Sequence, residues 1–445
     1  MTVIPYTLLM LMFTQNPIVV EVEESVTTCN PPGNGAGPFW CYGSPLIVRH
    51  GDDVFVSAME TGENVPLLCN TRWRLFHKHG NENWDMVQVS AKFNEREPCP
   101  LVGFSDGRLF LSVNPSTQPS GTKYGSCDPH LLEFSAMEPK KPGIQILPIW
   151  NDDIFFTDHS YRGIAVDGEK GEILALNIHA RSGDQYWSFC EASGKWSSHG
   201  QIKFPIRSCY PQVALKNKAG HVLAIGDIVE PNEEWQKYKF EKTGASWDYV
   251  FRRLFYTWTA DVTKKEFSEP IEVDELEATS GHILNLDLWI DDQGQAHILY
   301  RKQTVQSNLM RDKFFPDTPI TISLEYVVLN DGKIIKRKTL FKGGEGASTE
   351  IPGYARFHIA NDGRLFVVYY CSGKDDKGNS ISENRLIQVL PEGDNKSITI
   401  PLQKPFGMFF TAIQRGGSKQ SDIIDLYGPG SGTEIRYARV KYGDQ

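Results

Sequence analysis

Residues 284–300 read LNLDLWIDDQGQAHILY, two apolar runs on either side of a short polar turn. In the first run apolar side chains alternate with others, as in a strand with one buried face. The Asp, Gln and Gly between the runs are typical of a tight turn. This stretch therefore predicts a β-hairpin.

The same unit recurs along the whole chain. The other instances are residues 45–59, 100–113, 163–178, 211–226, 356–370 and 410–428. Their turns are about 50 to 75 residues apart, which leaves room for a four-stranded blade in each unit. Further strand-like runs lie between the hairpins, at 71–78, 253–262 and 323–330. Seven such units predict an all-β, seven-bladed β-propeller, and they favour it over a two-sheet sandwich because radial repetition leaves few exposed strand edges.

The chain ends suggest how the propeller closes. The last unit has only EIRYARVK (434–441) after its hairpin, so IVVEVEE (18–24) is expected to complete that blade. We expect residues 18–445 to form a single propeller domain, with residues 1–17 as a leader segment. Two polar insertions, 228–250 and 302–319, are expected to frame a cleft, and the first contains a helix-like stretch at 233–240.

Charge and hydropathy indicate which partners and which cellular location to expect. The net charge of −9 disfavours nucleic acid as a partner. No segment has the 18 or so consecutive apolar residues of a membrane span, so membrane insertion is not expected. The first 13 residues lack a basic n-region, which leaves open whether they are an atypical signal peptide or plain structure. We expect a secreted or periplasmic monomer.

The eight cysteines form no CxxC pair, and either disulfides such as Cys29–Cys41 or buried free thiols fit this pattern.

Residues at the blade starts should converge on one face, because the first strand of each blade lines the axis. They are Tyr42, Arg96, Asp158, His159, Tyr161, Arg162, Arg207, Tyr210, His282, Asn285, Tyr354, Arg356 and His358. This set is rich in His, Tyr and Arg and poor in paired carboxylates. Glycoside hydrolysis ordinarily needs two carboxylates. β-Elimination on a uronic acid needs a base, an acid and groups that neutralise the sugar carboxylate, which fits the set better.

Two stretches carry a family resemblance. TDHSYRGIAVDGEKGEILALNIH (157–179) and RSCYPQVALKNKAGHVLAIGD (207–227) resemble the BNR-type propeller signature of ulvan lyases and rhamnose-glucuronate lyases. The resemblance implies a polysaccharide lyase that cleaves a uronic-acid-containing glycan. It implies catalytic roles for His159, His179 and Tyr210, with Tyr210 as the proton donor.

One departure from the family pattern concerns the substrate carboxylate. Where the family has Tyr-Arg after the strand that carries the tyrosine, this chain reads AIGD (224–227). The carboxylate-binding arginine must then come from elsewhere, and Arg162, Arg207, Arg252 and Arg356 are the candidates. The expected substrate-binding residues are Tyr42, Tyr161, Arg162, Arg207, His282, Asn285, Tyr354, Arg356 and His358.

Two other functions stay open from the sequence. One is a propeller glycoside hydrolase, and the other is a non-catalytic carbohydrate-binding propeller in which Tyr42 and Tyr354 stack on sugar rings. GxSxG, HExxH and P-loop patterns are absent, so serine hydrolase, zincin and NTPase chemistry are not expected. No cofactor motif appears. The acidic loop at 272–277 leaves a structural calcium ion open, although its spacing matches no EF-hand.

Overall fold

The computed structural model describes residues 18–151, 154–158, 161–179, 181–393 and 396–443. These residues form six four-stranded antiparallel sheets, one three-stranded sheet and a two-stranded ribbon. The innermost strands of successive sheets contact one another in chain order. The fold is a seven-bladed β-propeller, as the hairpin repeat predicts.

The strands follow the chain blade by blade. The N-terminal strand β1 (Ile18–Thr28) belongs to the seventh blade. Blade 1 comprises β2 (Ile47–His50), β3 (Asp53–Thr61), β4 (Thr71–His79) and β5 (Asp85–Val89). Blade 2 comprises β6 (Leu101–Gly103), β7 (Arg108–Val113), β8 (His130–Ser135) and β9 (Ile144–Ile146). Blade 3 comprises β10 (Gly163–Asp167), β11 (Glu172–Ile178), β12 (Gln185–Cys190) and β13 (Trp196–Ile202).

Blade 4 carries the first insertion. Its strands are β14 (Ser208–Lys216), β15 (Ala219–Gly226), β18 (Arg253–Thr259) and β19 (Ile271–Glu275). The insertion between β15 and β18 holds the ribbon β16 (Ile228–Val229) and β17 (Tyr249–Val250), and helix α1 (Glu233–Thr243). The helix begins at Asn232, whose side chain accepts a hydrogen bond from the amide of Trp235, and it ends at Gly244. A helix at this position is what the sequence predicts.

Blades 5 to 7 complete the ring. A 3-10 turn (Glu277–Thr279) precedes blade 5, which comprises β20 (His282–Ile290), β21 (Ala296–Gln303), β22 (Thr321–Asn330) and β23 (Lys333–Gly344). Helix α2 (Asn308–Phe314) lies between β21 and β22 and contacts α1. Blade 6 comprises β24 (Glu350–Ile359), β25 (Leu365–Lys374), β26 (Ser380–Leu390) and β27 (Ser397–Ile400). Blade 7 comprises β28 (Ile423–Pro429) and β29 (Glu434–Tyr442), followed by β1.

The N-terminal strand closes the ring as predicted. β1 pairs antiparallel with β29, from Ile18 opposite Tyr442 to Thr28 opposite Glu434. Between blades 1 and 7, the Arg49 guanidinium lies 2.6 Å from the Asp425 carboxylate. The last and the first parts of the chain thus share one sheet, which removes two strand edges.

The seventh hairpin differs from its prediction. Its first strand shrinks to one bridge, between Phe410 and Tyr427, and a 3-10 turn (Gln414–Gly416) follows. The reason is Arg415, which turns into the axis and donates to Asp287, to the Gly43 carbonyl and to Gln212. Gly417 permits this turn because its φ is +93° and an added Cβ would lie 1.7 Å from the Gly103 carbonyl oxygen.

The hydrophobic core lies between neighbouring blades. One cluster joins blades 1 and 2 through residues such as Phe55 and Leu109, and the next joins blades 2 and 3 through Phe110 and Ile173. All eight cysteines are free, and Cys29 and Cys41 are buried thiols, not partners in a disulfide. None of the helices in the described ranges is long and apolar enough to cross a membrane.

Candidate functional site

The end of the propeller where the innermost strands begin, here called the start face, is closed at its centre by Cys41–Ser44. The Cys41 thiol donates to Glu97 at 3.3 Å, and the Ser44 hydroxyl donates to the Arg162 carbonyl at 2.8 Å. Arg415 donates to the Gly43 carbonyl at 2.8 Å. A Cβ on Gly43 would lie 2.5 Å from the Pro211 carbonyl oxygen. Residues 41–44, here called the plug, thus contact several blades at once and need glycine at their tightest contact.

Tyr42 and Asn285 fasten the plug to blades 4 and 5. The Tyr42 hydroxyl donates to Asn285 Oδ1 at 2.9 Å, and Asn285 Nδ2 donates to the Tyr210 carbonyl at 2.8 Å. Asn285 is fully buried. The predicted substrate-binding residues Tyr42 and Asn285 are therefore held in contacts within the protein, which indicates a role in positioning Tyr210.

Tyr210 lies on a β-bulge at the start of blade 4. The register of β14 against β15 shifts between Cys209 and Gln212, and Tyr210 has a φ of +48°. Bulges re-aim side chains, and a non-glycine residue at positive φ is uncommon. Its phenol is 7% exposed, and burial raises its pKa well above the ordinary value. Tyr210 is therefore protonated at neutral pH and can donate a proton.

A row of rings extends from Tyr210 in both directions. On one side the Tyr161 ring lies 4.8 Å from the Tyr210 ring, and the Arg207 guanidinium lies 5.5 Å from the Tyr161 ring. On the other side Phe251 lies 6.1 Å from Tyr210, and His282 lies 6.0 Å from Phe251. These are ordinary aromatic and cation–π distances. Together they bring residues of blades 3, 4 and 5 into one line of contacts, here called the aromatic row, in which Tyr161 and Tyr210 are buried and Phe251 and His282 are partly exposed.

Arg301 ends the aromatic row beyond His282. It lies on β21 opposite Leu284. Burial, together with the charges of Arg301 and Arg252, lowers the pKa of His282 to about 4. Burial also lowers the pKa of Arg301, and its Nε is buried without a hydrogen-bond partner. Within the described residues, no carboxylate pairs with Arg301. Arg301 is partly buried, and a partly buried guanidinium without a counter-ion is well suited to an anionic ligand.

The four arginines predicted to bind the carboxylate are all engaged by the protein. Arg162 is 2% exposed and donates to the carbonyls of Ser112, Glu97 and Pro98. Arg356 is 1% exposed and donates to carbonyls of Leu286 and Tyr42. Arg207 pairs with Asp227, and Arg252 pairs with Glu230. Arg162 and Arg356 are structural, whereas Arg207 keeps a partly exposed side chain on the aromatic row.

The predicted histidines differ in what the structure says about them. His159 lies outside the described residues. His179 follows β11, and its Nδ1 accepts a hydrogen bond from the Ser182 amide at 3.1 Å, which leaves the ring proton on Nε2. His179 is therefore a hydrogen-bond donor in this arrangement. His358 donates to the Ser421 carbonyl at 2.7 Å, and burial lowers its pKa to about 4. It lies at the far end of β24, away from the start face.

Tyr354 packs beneath the plug. It is 6% exposed, its ring lies 6.3 Å from Tyr42, and its hydroxyl accepts a hydrogen bond from Arg356. Burial raises its pKa to about 12. Neither Tyr42 nor Tyr354 is an open platform for a sugar ring, so the binding-propeller hypothesis loses the two aromatics on which it relied.

Carboxylates do occur near the starts of blades 2 and 3. Asp158 was among the predicted blade-start residues, whereas Glu95 and Glu97 were not. Glu95, Glu97 and Asp158 are each at most 3% exposed. Glu95 accepts hydrogen bonds from the Asn114 amide at 3.0 and 3.1 Å, and burial raises its pKa to about 7. Their burial and their contacts with arginines indicate a structural cluster beneath the surface.

A cavity of about 610 Å³ opens at the opposite end of the axis. Its lining includes Lys216, Trp289 and Asp292 at the hairpin turns. Lys216 pairs with Asp292 at 2.6 Å, and Trp289 donates to Gln414 at 2.5 Å. The polar groups of these side chains bond to one another, whereas the aromatic row ends in an arginine without a counter-ion. We therefore place the candidate site on the start face. No group of three or more metal-ligating side chains occurs in the described part of the chain.

Arg301 and Phe251 were missed because only the beginnings of innermost strands were searched. The second strand of a hairpin returns to the face from which the first began, so residues near its end lie there too. Arg301 follows Tyr300 near the end of β21, and this position was the available signal. Phe251 comes from the insertion side of blade 4, where the sequence has no comparable signal.

Comparisons with known proteins show low similarity. No protein-family model matches the sequence, and no curated protein sequence matches it. Similar solved structures include an α-L-arabinanase of Penicillium chrysogenum complexed with arabinobiose, at 11% identity and a TM-score of 0.44 over 95% of this chain and 98% of that one. A puromycin-hydrolysing peptidase of Mycobacterium tuberculosis has 13% identity and a TM-score of 0.45 over 93% of this chain and 55% of that one. The polysaccharide lyase Uly1 has 10% identity and a TM-score of 0.36 over 77% of this chain and 89% of that one. These proteins have different activities, and similarity at this level does not indicate which reaction or ligand belongs to this chain.

Proposed function

We propose that this protein is a carbohydrate-active propeller that binds an acidic glycan along the aromatic row and cleaves it by β-elimination beside a uronic acid. The observation that carries the proposal is Arg301, a partly buried arginine that has no counter-ion among the described residues and whose buried Nε has no hydrogen-bond partner. A sugar carboxylate would supply the missing charge, and a bidentate pair would orient it.

The reaction needs three groups. A base takes the proton from C5 of the uronate, the C4–O bond breaks as a double bond forms between C4 and C5, and an acid protonates the departing oxygen. Arg301 neutralises the carboxylate on C5, which makes that proton easier to remove. Tyr210 stays protonated because burial raises its pKa, and it gives its proton to the leaving oxygen.

His282 is the described residue that we assign as the base. Burial lowers its pKa to about 4, so its ring is neutral at physiological pH and can accept a proton. It lies beside Arg301, and the carboxylate that Arg301 binds is attached to the carbon that loses its proton. His179 contributes its Nε2 proton to bind a glycan oxygen. The role of His159 stays a prediction from the sequence resemblance.

The test is turnover of uronate polysaccharides, with ulvan and glucuronate-capped arabinogalactan in the panel. Near-ultraviolet absorbance reports the unsaturated product, and reducing ends report any cleavage. We expect both signals from the wild type. Arg301→Gln should lower the rate about 100-fold, the usual cost of removing one group that stabilises developing charge, and Tyr210→Phe should abolish the absorbance signal.

Matched controls separate this chemistry from misfolding. Tyr124 is 60% exposed, and Arg253 pairs with Glu272 at 2.6 Å on the edge of blade 4. Tyr124→Phe and Arg253→Gln should keep wild-type activity, and thermal melting should show all variants folded. Reducing ends without absorbance would indicate hydrolysis, with Glu95 the first residue to test. No increase in either absorbance or reducing ends would contradict catalysis on these glycans.

A further inference from the structure

Two aromatic rings stand exposed on the first insertion, next to the aromatic row. Trp247 is 74% exposed and Tyr249 is 38% exposed. Their ring centroids are 6.2 Å apart, and their planes differ by 13°. The two rings thus present an offset, nearly parallel surface to solvent. A large exposed aromatic pair of this kind is a mark of a binding surface.

The backbone beneath the two rings is held firmly. Tyr249 pairs with Val229 in the ribbon, and Trp247 lies two residues before it with its ring stacked on the same side. Asp248, between them, points the other way and accepts a hydrogen bond from Lys239 at 2.9 Å. The Asp248 carbonyl accepts a second bond from the Glu230 amide at 2.8 Å.

Behind the ribbon, Lys239 and Arg252 both pair with Glu230, which is 4% exposed. Buried charges cost desolvation, and such a network fixes geometry when every member is paired. The rings are therefore displayed on a rigid base, which lowers the entropy lost when a ligand binds.

The exposed pair is continuous with the candidate site. The Arg207 guanidinium lies 5.9 Å from the Tyr249 ring and 5.5 Å from the Tyr161 ring. Tyr161 in turn lies 4.8 Å from Tyr210. An unbroken line of contacts thus leads from the most exposed tryptophan of the described chain to the buried tyrosine at the centre of the aromatic row.

We infer that Trp247 and Tyr249 form a platform that binds a sugar ring of the same polysaccharide, outside the unit that reacts. This inference rests on the proposed function, and it makes the substrate a chain rather than a short oligosaccharide. A pyranose has an apolar face of C–H groups that stacks on an aromatic ring and a rim of hydroxyls that bonds polar neighbours. The charge of Arg207 lies beside both Tyr249 and Tyr161, so Arg207 binds the part of the glycan that lies between the platform and the site.

The test measures binding without turnover. In a Tyr210→Phe background, the affinity for ulvan and for glucuronate-capped arabinogalactan is measured by calorimetry with the full chain. Adding Trp247→Ala should weaken polymer binding about tenfold, the order of one aromatic contact. It should leave binding of a short uronate oligosaccharide unchanged. Tyr124→Ala removes another exposed ring elsewhere and should change neither affinity.

The outcomes separate this inference from the proposed reaction. Tenfold weaker polymer binding by Trp247→Ala supports the platform even if the otherwise wild-type chain turns over no glycan. In an active chain, Trp247→Ala should raise KM for the polymer and leave kcat unchanged. Equal polymer affinity with and without Trp247→Ala overturns the platform whatever the turnover. Binding to no polysaccharide of the panel also overturns it.

Discussion

His221 offers a sharp test of how burial shapes the chemistry of this propeller. It lies on β15 at 2% exposure, with Nδ1 2.7 Å from the Tyr256 hydroxyl and its ring stacked near Trp258. Its Nε2 is buried, and no described residue bonds it. Burial lowers the pKa of His221 from 6.5 to about 3. The folded protein therefore keeps this ring neutral where an unfolded chain would protonate it.

The sign and size of the effect follow by linkage. Below its unfolded pKa of 6.5 the unfolded state binds the proton and the folded state does not, so the free energy of unfolding falls as the pH falls. The loss stops only near the folded pKa of about 3. Each pH unit in that window costs about 1.4 kcal/mol, so on the order of 3 kcal/mol is lost between about pH 6.5 and about pH 4.5.

The perturbation is His221→Gln, which keeps a polar contact for Tyr256 and cannot titrate. Urea unfolding is measured at several pH values from about pH 7 to about pH 4.5. The variant should be less stable at neutral pH because it packs less well, but its stability should fall with acid by on the order of 3 kcal/mol less than that of the wild type. His199→Gln, an exposed position on β13, serves as the control. If the free energy of unfolding fell equally with pH for the wild type and His221→Gln, the claim that burial keeps His221 neutral would be refuted.

Three further predictions concern the axis and the closure of the ring. Gly417→Ala should destabilise the protein by more than about 3 kcal/mol in chemical unfolding, because it combines a positive φ with a clash against the Gly103 carbonyl; a change below 1 kcal/mol would contradict this. Asn285→Ala should lower the free energy of unfolding by about 2 to 4 kcal/mol in the same measurement, because it leaves the buried carbonyl of Tyr210 without the hydrogen bond from Asn285. It should also lower turnover of any glycan cleaved by the wild type, whereas unchanged kinetics would remove Asn285 from the positioning of Tyr210. Deletion of residues 1–28 removes β1 and should abolish cooperative thermal unfolding, because β29 then becomes an open edge; an unchanged melting curve would show that β1 is dispensable.

The architecture was predictable because it depends on a local pattern repeated many times. Each hairpin needs only alternating apolar residues and a turn of Asp, Asn or Gly, and both are visible in runs such as 284–300 and 211–226. The closing role of 18–24 followed from counting strands, and β1 confirms it. The one hairpin that changed, 410–428, did so because the Arg415 side chain makes contacts far away in the sequence.

The candidate site was predictable only in part. Tyr210, Tyr161, Arg207 and His282 do come together on the start face, since strand starts converge in a propeller. Arg162, Arg356 and His358 occupy equivalent sequence positions but are bonded within the protein. Whether an arginine is free or engaged depends on neighbours far away in the sequence, as with Arg162 and Ser112, which are 50 residues apart.

By itself the sequence determined the all-β class, the seven hairpin units and the strand that closes them, because periodicity and turn chemistry act between near neighbours in the chain. Only the tertiary structure decided that residues 41–44 plug the axis, that the buried Nε of Arg301 has no hydrogen-bond partner among the described residues, and that Trp247 stands exposed beside the site. These facts concern burial and pairing between blades. Electrostatic energy and desolvation depend on distances through space, and the order of residues along the chain does not contain those distances.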